Sequence, residues 1–371
     1  MNKQRLSHSA ISKYAMCPKM YEYHYIKKIR PTIHSAALVF GDSFDKAINT
    51  LIKGEKTLEE AINFFIESFK NNTINNKNVY IPTYTQLVYS ASDFDADLLS
   101  EDNLSIIKER YPTIEDPIEE IKKLKNQKKA IGWENMSNAN KTFFNDLHWM
   151  VLCNKGVLFI NAYHEQVVPK LLKVHEVQRV IKIENMGGDS IIGYVDLIAD
   201  LEGHGTVILD NKTSSMEYEE DSVLTSPQLS LYLHALEDEY KTRKAGYIVL
   251  NKNLIKNKKK ICSKCGYDGS GKTHKKCDNE IDGKRCNGEW NTTTDPKVNI
   301  QIIVDEIPIK TEEIVMENYD AINKGIKSGV FHRNFNTCEN CFGSRCAYKD
   351  LCFKDNMRGL EDMNKENRDD I

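Results

Sequence analysis

Three residues near the middle of the chain have the right types to act on a phosphate together: Asp196, Asp210 and Lys212. They stand in the segments Gly193-Tyr-Val-Asp196 and Ile208-Leu-Asp210-Asn-Lys212. Two carboxylates brought close together repel, so ionising both is costly without a cation between them. A hard divalent ion such as Mg²⁺ takes oxygen ligands and removes that repulsion. A lysine beside it adds fixed positive charge for a phosphate or for the water that attacks it. Such a set suits metal-assisted phosphodiester hydrolysis. The same trio would also serve as an ordinary salt-bridged surface hairpin, so the elements that position it decide the reading.

Residues 191–201 and 206–212 are β-prone and flank Glu202-Gly203-His204-Gly205, the pattern of a hairpin. A three-residue Gly-His-Gly loop sets Thr206 opposite Glu202, Asp210 opposite Ile198 and Lys212 opposite Asp196. Alternation along a strand then gathers Asp196, Asp210 and Lys212 on one face. Leu197, Ala199, Leu201, Val207 and Leu209 form the other, apolar face. A one-residue slip would turn every side chain over. Upstream, Val174-His175-Glu176-Val177-Gln178 reads as a further strand that offers Glu176 as another carboxylate. Downstream, Ser226-Pro227 is a helix start, by N-cap and first-turn proline. Gln228 and Tyr232, four apart, share a helix face and can meet at a phosphate, a base or a metal's water.

Together these residues resemble the PD-(D/E)XK nuclease superfamily, and within it the RecB-type branch with its AddB-type and CRISPR-associated iron–sulfur exonucleases. The family pattern lies over Gly41 to Asp45, Glu176, Gly193 to Asp196, Asp210 to Lys212, and Gln228 to Tyr232. The resemblance implies a restriction-endonuclease-like α/β fold, a mixed sheet flanked by helices. It implies that Asp196, Asp210, Glu176 and the Asn211 carbonyl hold Mg²⁺ or Mn²⁺, with Lys212 catalytic and Gln228 and Tyr232 shaping the site. Many relatives carry a histidine where this chain has Asp45 in Phe40-Gly-Asp-Ser-Phe-Asp45. An oxygen ligand there favours Mg²⁺ or Mn²⁺; alternatively the helix only packs, through Phe44, Ala47, Ile48 and Leu51. The opening Leu6-Ser-His-Ser to Tyr23, with Cys17-Pro18, also resembles the branch, whereas residues 55–165 resemble nothing identified.

Ten cysteines fall into two groups and one outlier, Cys153, expected to be a core thiol. Cys262-Ser-Lys-Cys265, Cys277 and Cys286 suit a four-thiolate Zn²⁺ knuckle, because Cys-x-x-Cys lets two sulfurs reach one ion. The Cys277–Cys286 spacing is wide, and His274 is a substitute ligand. A segment so short and polar can bury little core, so the metal would supply its folding energy. At the C-terminus stand Cys338, Cys341, Cys346 and Cys352. The resemblance implies that three of these join Cys17 in an iron–sulfur cluster that staples the chain's ends. Position 343 is glycine where relatives have cysteine, so five candidates remain for four places. A second zinc held by Cys338, Cys341, Cys346 and Cys352 is the competing reading.

Charge and length place these groups in a larger frame. At 371 residues the chain has room for several units. They are expected as a helical region with the entry motif (1–172), an α/β core (173–254), an inserted knuckle (255–296), a strand and final helix (297–337), and a cysteine cluster with a charged tail (338–371). A mobile loop is expected near 70–80. The net charge of −3 excludes a generally cationic nucleic-acid coat. Locally, Lys252, Lys256, Lys258, Lys259, Lys260, Lys272, Lys275, Lys276, Lys284 and Arg285 crowd the knuckle, an electrostatic footprint for phosphates or simply a solubilising loop. No run approaches the ~18 apolar residues of a membrane span, and the N-terminus lacks a secretory signal. The expected setting is bacterial or phage-infected cytosol, where thiolates stay reduced. The expected partner is DNA. No Gly-x-x-x-x-Gly-Lys-Ser/Thr site is present, so unwinding would fall to a helicase or recombination protein. The activity expected is a DNA exonuclease of replication, recombination or repair. Its rivals are a catalytically inert scaffold and a structure-specific endonuclease.

Overall fold

The computed structural model describes residues 5–32, 34–70, 87–88, 95–131, 135–184, 189–341 and 345–364. The loop expected at 70–80, Gly343 and the end of the tail lie outside these residues except for Lys70, which ends a helix. The architecture is a mixed sheet between two helical layers, as the restriction-endonuclease-like expectation requires. The strands are β1 (Arg5–Leu6), β2 (Leu171–Glu184), β3 (Ser190–Leu201), β4 (Gly205–Ser214) and β5 (Lys244–Asn251). An arm, β6 (Ile255–Cys262) and β7 (Trp290–Lys297), precedes the last sheet strand, β8 (Ile300–Glu306). Strand β2 runs antiparallel to β3, β3 antiparallel to β4, β4 parallel to β5, and β5 antiparallel to β8. The two-residue β1 lies parallel to the start of β3.

Both faces of the sheet are apolar because helices cover both. Helices α1 (His8–Met16), α2 (Ala36–Ile52), α3 (Leu58–Lys70), α4 (Asn138–Gln166), α5 (Pro227–Tyr240) and α6 (Ile309–Lys327) divide between the faces. On one, Phe40 and Phe44 of α2, Phe65 of α3 and Phe159 of α4 bury Leu197, Leu209 and Ile248. On the other, Ile11 of α1, Leu229 and Leu233 of α5 and Val315 of α6 bury Ile198, Ile208 and Val249. The unassigned stretch between α3 and α4 contributes helices Glu101–Arg110 and Pro117–Ile131, whose Ile107 and Ile121 join the first cluster. Cys153 is buried in that same cluster.

The β3–β4 hairpin differs in register from its expectation. Asp200 pairs with Thr206 and Leu201 with Gly205, so the loop is Glu202-Gly203-His204 and the register is shifted by two residues. Gly203 and Gly205 take φ of 78° and 73°, the left-handed region that glycine enters without a Cβ penalty. An even shift leaves each side chain on its face, so Asp196, Asp210 and Lys212 stay together.

The arm β6–β7 interrupts the connection between β5 and β8, which pair directly from Ile300↔Leu250 to Glu306↔Lys244. Trp290 pairs with Cys262 at its far end, and the remaining cysteines lie beyond that pair. Among the described residues, no helix is long and apolar enough to cross a membrane.

Candidate active site

The β3–β4 ladder ends at Leu197↔Leu209. Beyond that pair the strands part: β3 keeps β2 and β4 keeps β5. Asp196 and Asp210 stand at the first positions past the fork. The Asn211 N–H, no longer needed for a ladder with β3, donates to Asp196 Oδ2 at 2.8 Å. Tyr163 of α4 donates to Asn211 Oδ1 at 3.1 Å and fixes that residue from the opposite side.

Helices from both faces of the sheet reach the fork. Asp45 of α2 accepts from Asn49, one turn on, at 3.1 Å. From the other face, Gln228 of α5 donates to Asp210 Oδ1 at 2.9 Å and to the Tyr232 hydroxyl at 2.6 Å. It also accepts from the Lys212 ammonium at 3.1 Å. The Tyr232 hydroxyl in turn donates to the Tyr194 carbonyl at 2.7 Å. Gly193 makes room for that ring, since a Cβ there would come within 3.2 Å of Tyr232 and 2.9 Å of Ile181. Ser226 caps α5 through the Leu229 N–H and holds the helix start beside Tyr247 at 2.5 Å.

The electrostatics follow from burial. Asp210 is 1% exposed and forms an ion pair with Lys212 at 2.6 Å. Burial, then the neighbouring Asp210 and Asp45, pushes the Asp196 carboxyl well up. Asp45 is pushed up to about 6, mainly by burial, with Asp210 adding to it and Asn49 opposing. Asp210 is also raised by burial, against the pull of Lys212. Burial alone would lower Lys212, but Asp210 and Asp196 outweigh it and its pKa rises, so it is held as a cation. Raised carboxyl pKa values mean that the three acids together lack a compensating charge, which a divalent cation would supply. Asp45 Oδ1 is buried with no hydrogen-bond partner, an acceptor oxygen left to ligate a cation. The residues therefore fit a hard cation.

Glu176 lies elsewhere. Its carboxylate accepts from Tyr240 at 2.6 Å and from Arg179 at 3.2 Å, in a half-exposed surface network. Gln178 stands at the fork instead, donating to both Asp45 and Asp196 at 3.1 Å. It takes φ of 58°, and the β2–β3 ladder skips both it and Asp196. Such a left-handed residue inside a strand re-aims its side chain, which regular alternation does not foresee. A second unforeseen neighbour is His8, whose Nδ1 lies 2.5 Å from the Tyr319 hydroxyl. Burial and the nearby Lys212 lower it to about 4, so it stands neutral.

The knuckle thiols Cys262, Cys265, Cys277 and Cys286 lie with their sulfurs all within 4.8 Å of one another, close enough to share one ion. The wide Cys277–Cys286 spacing is taken up by a hairpin, Glu280–Ile281 against Lys284–Arg285. Its two-residue turn, Asp282-Gly283, has φ of 50° and 71°, the conformation that Asp-Gly favours. His274 is exposed and its ring faces Asp278 rather than the thiols.

At the chain ends, Cys17, Cys338, Cys346 and Cys352 line a single cavity. Arg333 donates to the Cys352 sulfur at 3.2 Å, and the Asn334 N–H to that of Cys17 at 3.5 Å. The fifth thiol, Cys341, is buried among them: it bonds to the Cys346 thiol, lies near Cys17 and Cys338, and also meets the sulfurs of Met16 and Met20 at 3.4 and 3.8 Å.

A search of curated proteins gives no match to this chain. The model of the PD-(D/E)XK nuclease superfamily, whose members use divalent metals, matches residues 132–353, a span that holds Asp196, Asp210, Lys212 and Gln228, and the chain belongs to that superfamily.

Proposed function

We propose that the protein is a divalent-metal-dependent deoxyribonuclease of the RecB-type branch, acting as an exonuclease on DNA ends in replication, recombination or repair. The observation that carries this reading is the buried convergence of Asp45, Asp196 and Asp210 with Lys212, with one Asp45 oxygen left without a partner. Asp45, Asp196, Asp210 and the Asn211 carbonyl would hold Mg²⁺ or Mn²⁺. When bound, the ion would supply a water of lowered pKa and charge stabilisation of the phosphate. Lys212, kept protonated by its carboxylate neighbours, serves as a cation for the phosphate and a donor that orients the water, and is not the base. Gln228 bonds both Lys212 and Asp210, and Tyr232 holds Gln228. Gln178 braces Asp45 against Asp196, taking the place expected of Glu176.

The knuckle thiols are proposed as a Zn²⁺ site, and four of the five thiols Cys17, Cys338, Cys341, Cys346 and Cys352 as ligands of an iron–sulfur cluster. Donors to the Cys17 and Cys352 sulfurs suit such a cluster, whose potential follows hydrogen bonds to its sulfurs. Anaerobically purified protein should be brown and contain iron and zinc; colourless protein with two zinc ions per chain overturns the cluster.

The nuclease reading is tested on end-labelled linear DNA and on closed circles, with Mg²⁺ or Mn²⁺. Wild type should degrade linear DNA and spare circles, and Lys212→Ala should leave both intact. If wild type and Lys212→Ala are equally inert under every metal tried, the inert-scaffold reading replaces this one. Cutting of circles would instead make it an endonuclease.

A further inference from the structure

The knuckle arm carries a charge that the rest of the molecule does not. From Ile255 to Pro296 there are ten Lys and Arg against six Asp and Glu, a formal charge of +4 within a chain of −3. A zinc ion with four thiolates has a charge of −2, so the arm stays positive with its metal bound. Some of this charge is consumed internally: Lys256 pairs with Asp95 and Asp97, and Lys272 with Asp278. Lys275 and Lys276 are exposed and make no ion pair among the described residues.

Those two lysines line a groove of about 450 Å³ together with Lys260, His274, Glu289 and Trp290. That lies within the usual ~300–1,000 Å³ of a small-ligand site. The indole is locked in place. Its Nε1–H donates to the His274 carbonyl at 2.9 Å. Its six-membered ring lies against Gly269, where a Cβ would come within 2.2 Å of the ring. Its backbone pairs with Cys262, so the metal site itself anchors the strand that carries it. Trp290 is nevertheless only half-buried. A fixed aromatic surface in a lysine-lined groove matches the needs of an unstacked nucleotide: a flat face for the base and cations for the flanking phosphates. Duplex DNA keeps its base faces covered and can use only the cations.

We propose that this groove binds a single-stranded segment of DNA, with a base stacked on Trp290 and the neighbouring phosphates on Lys275 and Lys276. The inference rests on DNA as the substrate class but not on catalysis, so it is tested on full-length protein carrying Lys212→Ala. The probes are a labelled oligo(dT) and a duplex of equal length. Lys275→Glu/Lys276→Glu should weaken oligo(dT) binding by about tenfold or more. It should also flatten the slope of log affinity against log salt by about 1.4, since each lost single-strand phosphate contact removes about 0.7. Zinc content serves as the check on folding; if it falls, Lys275→Gln/Lys276→Gln is used in its place. With Trp133→Phe and Trp149→Phe, the emission of Trp290 should be quenched by oligo(dT) and not by duplex. Unchanged affinity and salt slope, or an emission indifferent to oligo(dT), overturns the proposal. Nuclease inactivity in the wild type with oligo(dT) binding intact would remove the proposed catalysis and leave the groove standing.

Discussion

The carboxylate fork and the cysteine knuckle are both proposed as metal sites, and the fold assembles them by opposite means. The fork draws on residues from Asp45 to Tyr232, delivered by three strands and helices from two faces of the sheet. Its geometry is imposed by two large apolar clusters that do not involve the ion. The cost shows as raised carboxyl pKa values, stored in a site that the fold holds together regardless. The knuckle draws on residues 262–290, and its buried set is Cys262, Cys277 and Cys286, with Cys265, Tyr267 and Trp290 against them. There the ion would be most of the core. On the proposed reading, the contrast is between a site that the fold pre-forms for metal and one that metal would make.

The largest effect that can break this contrast is removal of a knuckle ligand. Cys277→Ala should abolish zinc uptake and unfold the arm, since structural zinc supplies on the order of 10 kcal/mol to such modules. The sheet and its two helical layers should melt as in wild type. Calorimetry and zinc analysis check both. A single transition that moves as a whole would show the arm and core to be one cooperative unit. At the fork the order reverses: Lys212→Ala should lower the cleavage rate by roughly 10²–10³-fold while changing the melting temperature little. Parallel losses of stability and rate would mean that Lys212 holds the fork together instead of serving chemistry.

How far each region could be read from the sequence follows the same division. The knuckle is local, so spacing alone gathered its four thiols; only the Asp282-Gly283 turn needed coordinates to explain the Cys277–Cys286 gap. At the fork, Asp196, Asp210 and Lys212 were legible because strand parity survives a two-residue error in register. Asp45 was legible as a helix position, but its place beside Asp196 came only through the resemblance, because it depends on how α2 crosses the sheet. Glu176 and Gln178 show the limit. They are two apart on one strand, and period-two reasoning puts them on one face. The left-handed backbone at Gln178 separates them, and nothing in Val-Gln-Arg announces it. His8 was similarly hidden, because its approach to Lys212 depends on packing between α1 and α6. Among the five terminal cysteines, spacing does not choose four, and the fold gathers Cys17, Cys341, Cys346 and Cys352 in one cluster.

Gln178 offers a subtler probe of the pre-formed site. It bonds to two proposed ligands without being one, the position of an outer-shell partner whose loss costs ~10–100-fold in metal affinity. Gln178→Ala should therefore weaken Mn²⁺ binding by that factor, read by titration calorimetry. Gln178→Glu, which trades a donor for a fourth carboxylate, should strengthen Mn²⁺ binding relative to Gln178→Ala. Equal affinity in all three proteins would mean that Asp45 and Asp196 hold their places without it.

The smallest predicted effect joins the two regions. Lys256 on the arm reaches Asp95 and Asp97, both at 2.7 Å. These acids belong to the segment leading into the helix Glu101–Arg110, outside the knuckle. Lys256 is 41% exposed, as is Asp97 nearly so at 39%, and pairs in such solvent are screened and worth about 0.2–1 kcal/mol. A double-mutant cycle on Lys256→Ala and Asp97→Ala should return a coupling in that range, falling further at high salt. The cycle is informative because both single changes leave the cysteines and the fork untouched. A coupling of the expected size means that the arm is tethered weakly, and that its zinc alone decides whether it is folded. A coupling several times larger would make the base of the arm part of the pre-formed core, and the arm's dependence on metal would then end at Cys262.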